Sequence, residues 1–245
     1  VMNYDQFFWL HIKKSAGIST RALLKPYYVE VDRVKKPKCF IQASTDEYND
    51  ILNNYRVPLG EYQFRRSLFA KKYLYPDHWD NTLSFAFSRE PTDRCLSMFY
   101  YLYWRANGLE KRAKRVIKRY METGRFHYST SYAFDVFLDY VQEARESDSI
   151  YIPFNSSFTT HTAPMWEDIT DLNGNILLKR IFRLENLVEG INQVFNECGL
   201  EKRIETRNER LNTNKSRRLY TPSESQIRKI ENIYNRDFDI YENAS

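Results

Sequence analysis

Cysteine is scarce in this sequence: Cys39, Cys95 and Cys198 are an odd, widely spaced set. They suggest neither a disulfide framework nor a zinc site, and they fit a reducing compartment. Long apolar runs are missing too, since none approaches the ~20 residues that a membrane span needs. No signal peptide is visible in a chain that opens Val1-Met2, a start compatible with trimming. The histidines, His11, His78, His127 and His161, lie far apart and lack the spacing of a metal site. There is no repeat, low-complexity tract or Ser/Gly-rich linker, and a single domain over 1–245 is expected.

What is present is apolar and aromatic. Hydrophobic residues make up 42% and aromatics 16% of the 245 residues, the composition of a packed globular protein. The net charge is +5, and the positive charge is clustered. Residues 109–119, "LEKRAKRVIKR", hold Lys111, Arg112, Lys114, Arg115, Lys118 and Arg119 against Glu110 alone; Arg33, Lys35, Lys36 and Lys38 form a second cluster. Such patches favour anionic partners, and each also reads as a solvated helix face.

The aromatic and β-favouring run 4–12 predicts a strand. A short helix is expected from Ser19 as N-cap, ended by Pro26. Ser44 and Glu47 form a capping box ahead of Tyr48, Ile51, Leu52 and Tyr55 at helical spacing. Residues 83–88, "LSFAFS", predict a second strand, and Pro91 opens a helix expected to run to about Asn107. Further helices are expected over 131–145 and 184–198, the latter stopped by Gly199. "DLNGNILLKRIF" predicts a hairpin or turn at Asn173-Gly174. The last helix is expected to start at a capping box of Thr221 and Glu224. Strands alternating with helices indicate an α/β fold, a P-loop-like domain with a central, mostly parallel sheet flanked by helices.

Two stretches at strand ends carry chemistry. In "FFWLHIKKSAGIST" (7–20) a strand gives way to a tight turn and a helix start, which brings backbone N–H groups and a positive dipole end together. Gly17 permits close approach of a ligand, Ser15, Ser19 and Thr20 offer hydroxyls, and Lys14 offers a mobile charge. This is phosphate-cradle chemistry without a Walker A motif; taken alone, it also reads as an ordinary capped helix with surface lysines. In "FAFSREPTDRCLSMFYYLYW" (85–104), Arg89 ends the strand and Ser97 lies two turns into the helix. A guanidinium with a hydroxyl suits a terminal phosphate. The alternative is a strand–helix corner tied by Arg89–Glu90 or Arg94–Asp93 surface pairs.

With both stretches in one chain and in this order, the sequence resembles the PAPS-dependent sulfotransferases, in particular the carbohydrate branch that includes heparan sulfate 2-O-sulfotransferase and bacterial relatives. That family's first motif reads approximately H-I-P-K-T-A-G-T-S and here stands as His11-Ile12-Lys13-Lys14-Ser15-Ala16-Gly17-Ile18-Ser19. The second, R-[DN]-P-x-x-R-x-x-S, stands as Arg89-Glu90-Pro91-Thr92-Asp93-Arg94-Cys95-Leu96-Ser97. "FRLENL" (182–187), "LNTNKSRRLYT" (211–221) and "IENIYNRDFDIY" (230–241) are weaker echoes of later family segments. The departures are Lys13 for proline, Ile18 for threonine and Glu90 for Asp or Asn.

The resemblance implies a sulfuryl transfer from PAPS (3′-phosphoadenosine 5′-phosphosulfate) to an acceptor hydroxyl, leaving PAP and requiring no metal. Lys14, with Ser15, Ala16, Gly17, Ser19 and Thr20, would hold the 5′-phosphosulfate, and Lys14 would stabilise the leaving group. Arg89 and Ser97 would hold the 3′-phosphate, and Lys215, Arg217 and Arg218 would close over the nucleotide. The family's base is commonly His or Glu; in the carbohydrate branch a His tends to lie some twenty-odd residues before Arg89. The segment 60–72, "GEYQFRRSLFAKK", has none. Glu61 by position and His78 by chemistry are the candidates. His161 reads as lining the acceptor cleft. The acceptor is expected to be a glycan, anionic because of the basic helix 109–119. Two alternatives are a nucleotide or small-molecule kinase and a non-enzymatic polyanion- or nucleic-acid-binding module. A cytoplasmic location is expected, or the Golgi lumen for a eukaryotic fragment lacking its anchor.

Overall fold

The computed structural model of the chain describes residues 7–27, 29–32, 34, 36–104, 114, 117–118, 120–121, 124–125, 129–146, 156–201, 203–205 and 220–245. The chain forms two compact units, Val1–Arg89 with Pro164–Thr213 and Asp239–Ser245, and Glu90–Ala163 with Asn214–Phe238.

The first unit is built on three parallel strands, β1 (Phe7–Leu10), β2 (Leu83–Ser88) and β3 (Arg180–Arg183), in the order β1-β2-β3. The registers run Phe7↔Leu83 to Leu10↔Ala86 and Phe85↔Arg180 to Ser88↔Arg183. Its helices are α1 (Gly17–Leu24), α2 (Tyr48–Asn54) and α3 (Arg66–Phe69), which continues as a π-helical stretch over Ala70–Leu74.

Successive strand residues point to opposite faces. Phe8, Leu10 and Ala86 pack with Ile51, Leu52, Trp79, Met165 and Ile169. Phe7, Trp9, Phe85, Phe87 and Phe182 pack on the other face with Leu24, Ile191, Val194 and Phe195. Both faces are covered, which is why β1 reads as a continuous apolar run. At Gly190 a Cβ would lie 2.8 Å from Phe182 Cγ and 3.0 Å from Phe87 Cε1, so the absence of a side chain lets its helix seat on the sheet.

The second unit contains α4 (Pro91–Met98) and α5 (Thr130–Glu146), followed by α6 (Ser156–Thr162). Cys95, Met98, Phe99 and Tyr103 pack with Phe134, Phe137, Val141, Ile230 and Tyr234. The remaining helices are α7 (Met165–Ile169) and α8 (Leu187–Glu197) in the first unit, and α9 (Glu224–Glu242), whose residues contribute to both. Among the described residues no helix is long and apolar enough to cross a membrane.

Several sequence expectations are corrected. The first helix starts at Gly17 rather than being capped by Ser19, because the preceding turn takes left-handed φ at Lys14 (68°) and Ala16 (52°). The helix opened by Pro91 is α-helical only to Met98 and turns π-helical over Phe99–Trp104. The Asn173-Gly174 turn forms, organised by the Asp171 carboxylate, which accepts from the Asn173 and Asn175 amides. Across it Thr170 and Ile176 form an isolated antiparallel bridge and Leu177 N donates to Ile169 O at 2.8 Å, as a short hairpin requires; Arg180–Arg183 then joins the sheet parallel to β2. The cap of the last helix is Ser223 with Gln226, whose Oε1 accepts from the Ser223 amide at 3.0 Å, and not Thr221 with Glu224.

Candidate functional site

β1 ends at Leu10, and the chain turns at once: Ile12 N donates to Leu10 O (3.1 Å) and Ser15 N to Ile12 O (3.2 Å). Left-handed backbone at two non-glycine residues costs about 1–2 kcal/mol each. It persists because the turn is gripped from outside. Arg89, at the end of β2, donates from Nη1 to the Lys14 carbonyl at 2.9 Å. Arg66, at the start of α3, donates from Nη2 to the His11 carbonyl at 3.0 Å. Asn53 Oδ1 accepts from the His11 amide at 2.7 Å.

Sequence reasoning missed two of these supports, Arg66 and Asn53, together with the neighbouring Asn49. Arg66 is buried and bidentate to Asp168, with Nε–Oδ1 at 3.0 Å and Nη2–Oδ2 at 2.7 Å, and Asp168 also accepts from the Arg66 amide. Asn49 and Asn53 satisfy the outer edge of β1. Asn49 exchanges two bonds with the Trp9 backbone (3.2 and 2.7 Å), and Asn53 Nδ2 adds one to Trp9 O (2.6 Å). An Asn pair four apart beside Ile51 and Leu52 was the available signal, because residues four apart share a helix face. Nothing in the sequence tied Arg66 to Asp168.

The sequence-predicted donors around this turn differ in their surroundings. The Ser15 hydroxyl is buried and has no hydrogen-bond partner among the described residues. Thr20 is fully buried and its hydroxyl donates to Ala16 O at 3.2 Å. Ser19 is buried and Lys14 half-buried. Gly17 serves a contact that the sequence did not reveal. A Cβ there would fall 1.7 Å from His11 Nε2, in a ring that itself stacks on Trp9 at 5.3 Å between centroids.

Lys13, which stands where the resembling motif has proline, donates from Nζ to the Asn53 carbonyl at the end of α2. The residue is half-buried but its amine is turned inward, and burial lowers its pKa to about 7. The Arg66 and Arg56 guanidinium groups push in the same direction, and Asp168 opposes them.

The two candidate bases lie in different places. Glu61 is exposed, in the turn Gly60–Tyr62 that leads into α3. It borders a groove of about 540 Å³ lined by Phe40, Tyr48, Tyr62, Phe69 and Tyr73. Lys72 donates to the Tyr62 hydroxyl at 3.0 Å, and its hydrogen bonds to Tyr62 and Tyr73 raise its pKa. His78 is exposed just before β2, where its carbonyl accepts from Thr82 N (2.9 Å). In a parallel sheet that is the end opposite to the 11–16 turn, separated by the length of β2, roughly 17 Å. The structure therefore brings Lys14, Ser15 and Arg89 together and leaves His78 apart. A second cavity, about 1040 Å³ and lined by residues such as Val188, Asn192, Leu200 and Ile204, contains none of the expected site residues.

In the second unit, Glu90 caps α4, its carboxylate accepting from Thr92 N (3.0 Å) and Asp93 N (2.6 Å), so the departure from Asp or Asn keeps the cap. Arg94 is buried. It pairs with Asp237 (3.2 Å) and donates to Ala163 O (2.6 Å). Ser97 is half-buried on α4, and the ring of His161 lies 5.1 Å from that of Tyr101. Lys215, Arg217 and Arg218 lie outside the described residues, as does most of the 109–119 cluster. Among the described residues no group of three or more His, Cys, Asp or Glu is placed to hold a metal ion.

Neither the curated proteins nor the solved structures contain a significant match to the chain. A family model described as "Sulfotransferase family" does match, over residues 1–243, and that span takes in the β1 turn, the Arg89 corner and the helices of both units. The chain therefore belongs to the sulfotransferase family and is a sulfotransferase enzyme, moving a sulfuryl group from a sulfate donor to an acceptor hydroxyl.

Proposed function

We propose that the donor is PAPS, that the acceptor is a glycan, and that both units act as one sulfotransferase domain. The observation that carries the reading is the 11–16 turn, a strand-to-helix corner with Lys14 on it and Arg89 bonded to it. The residues present fit a phosphosulfate: a buried Ser15 hydroxyl with no partner among the described residues, the backbone N–H groups at the start of α1, and a lysine within the same turn. Ser15, Ala16, Gly17, Ser19 and Thr20 surround the 5′-phosphosulfate. Arg89 and Ser97 hold the 3′-phosphate, and Lys215, Arg217 and Arg218 cover the nucleotide.

In the transfer, the acceptor oxygen forms a bond to sulfur as the bond from sulfur to the bridging oxygen breaks. The electron pair of that bond stays on the bridging oxygen of the departing PAP, and the hydroxyl proton passes to a base. Lys14 stabilises the charge where it develops. Glu61 is the better-supported base, because it leads into the helix whose Arg66 reaches the turn. His78 precedes β2 at the opposite end.

Calorimetric titration tests the reading. PAP is expected to bind at least tenfold more tightly than ADP or AMP, and both Ser97→Ala and Arg89→Ala to reduce that preference. Equal affinity for PAP and ADP would overturn it. Arg89 also supports the turn, so Ser97→Ala is the cleaner variant.

A further inference from the structure

Positive charge is concentrated beside the 11–16 turn. The Lys13 amine is under the electrostatic influence of Arg66, on α3, of Arg56, which follows α2, and of one carboxylate, Asp168 on α7. Asp168 is already engaged by Arg66 through both oxygens. Arg66 uses Nε and Nη2 on Asp168 and on the His11 carbonyl, while its Nη1 is buried and has no partner among the described residues. The Ser15 hydroxyl, two residues beyond Lys13, is in the same condition. A buried donor without an acceptor is costly, and here one belongs to the turn itself and the other to the arginine bonded to that turn. An oxyanion answers both.

We propose that Lys13, Arg66 and Ser15 form an oxyanion subsite beside Lys14, and that Lys13 gains a proton when an anion enters it. The identity of the anion rests on the sulfotransferase mechanism proposed above: either the sulfuryl group of the donor or an acidic group of the acceptor. The proton linkage follows from the surroundings. In the free protein, burial and the two guanidinium groups disfavour the ammonium form, and Lys13 titrates near 7. An anion within about 4–6 Å favours the ammonium form. Affinity should therefore be greatest below pH 7 and fall as pH rises, by up to about tenfold per unit, until the bound amine itself deprotonates. This is a property of the present chain, since the resembling motif has proline at this position.

The test is calorimetry at pH 8 in two buffers of different ionisation enthalpy, which reads out protons taken up on binding. Three probes are used. PAP is titrated into the free protein. Inorganic sulfate, standing for the sulfuryl group, is titrated into the PAP-loaded protein. A glucuronate-containing tetrasaccharide, standing for the acceptor, is titrated into the same complex. Uptake of roughly one proton is expected with the probe that fills the subsite, which also identifies the source of the anion. Lys13→Arg keeps a charge that does not titrate. It should retain binding of that probe and lose the proton uptake, whereas Lys13→Met should lose both. No uptake with any probe, or uptake that persists in Lys13→Arg, would overturn the proposal. PAP that binds without proton linkage leaves the sulfotransferase mechanism standing. If PAP does not bind, that mechanism fails, and sulfate titrated into the free protein still decides the subsite.

Discussion

At Gly17 one absent carbon sets the shape of the turn. The space a Cβ would occupy is filled by the His11 imidazole, with Nε2 1.7 Å away, and that ring is stacked on Trp9 from β1. Gly17→Ala therefore forces either the imidazole or the start of α1 to move, an overpacking cost of about 1–3 kcal/mol. Denaturant unfolding of Gly17→Ala, His11→Ala and the double variant checks this. Because the two residues compete for one volume, the double variant should be more stable than the sum of the single losses predicts. Strict additivity would show that the contact is not the reason for the glycine. The sequence showed that a glycine belonged in this turn, as it did for Lys14 and Arg89, since turn chemistry and an arginine at a strand end are local patterns. It did not show what the glycine makes room for, because that depends on where His11 points.

At the scale of elements, α2 does for β1 what a neighbouring strand would do. Asn49 and Asn53 supply amide donors and acceptors to Trp9 and His11, so among the described residues this edge of the sheet is closed by a helix and not by a further strand. Asn53 also offers its carbonyl to Lys13, so the end of this helix touches the turn at His11 and Lys13. Asn53→Ala would remove the bond that its side chain accepts from the His11 amide and the one it donates to Trp9 O. The expected loss is about 1–3 kcal/mol in stability, together with weaker PAP binding. Asn49→Ala, whose side chain is hydrogen-bonded to the Trp9 backbone, should lower stability with a smaller effect on PAP. Equal effects of the two on PAP affinity would mean that edge closure alone matters. The apolar spacing of α2 was readable in the sequence, and so was the Ser44–Glu47 capping box that precedes it. The polar pairing was not, because amide-to-strand bonds form between residues forty positions apart. β3 was missed for a related reason. Its four residues, Arg180–Arg183, are flanked by charge at both ends and become a strand only through pairing with β2.

For the molecule as a whole, both cores were legible as apolar periodicity, and the two motifs at strand ends led to the family that matches over 1–243. Long-range ion pairs were not legible: Arg66 with Asp168 and Arg94 with Asp237 each join residues more than a hundred positions apart. Net charge works at this scale too, and it needs no contact to act. The +5 of the chain is unevenly spread, with six basic residues against Glu110 in 109–119. A basic segment of that density raises the local concentration of an anionic partner and speeds its arrival. PAP binding, in contrast, is expected to depend on the two phosphate sites. Reversing the charge at Lys111, Lys114 and Arg115 together should therefore raise the acceptor KM for an anionic glycan several-fold while leaving PAP affinity unchanged. The effect should shrink as ionic strength rises, since the Debye length falls from about 10 Å at 0.1 M salt to about 3 Å at 1 M. Steady-state kinetics at low and high salt, with calorimetric PAP titration alongside, separates the outcomes. An unchanged acceptor KM at low salt would mean that the acceptor is neutral or that the cluster is only a solvated face. A change in PAP affinity would instead connect the cluster to the nucleotide.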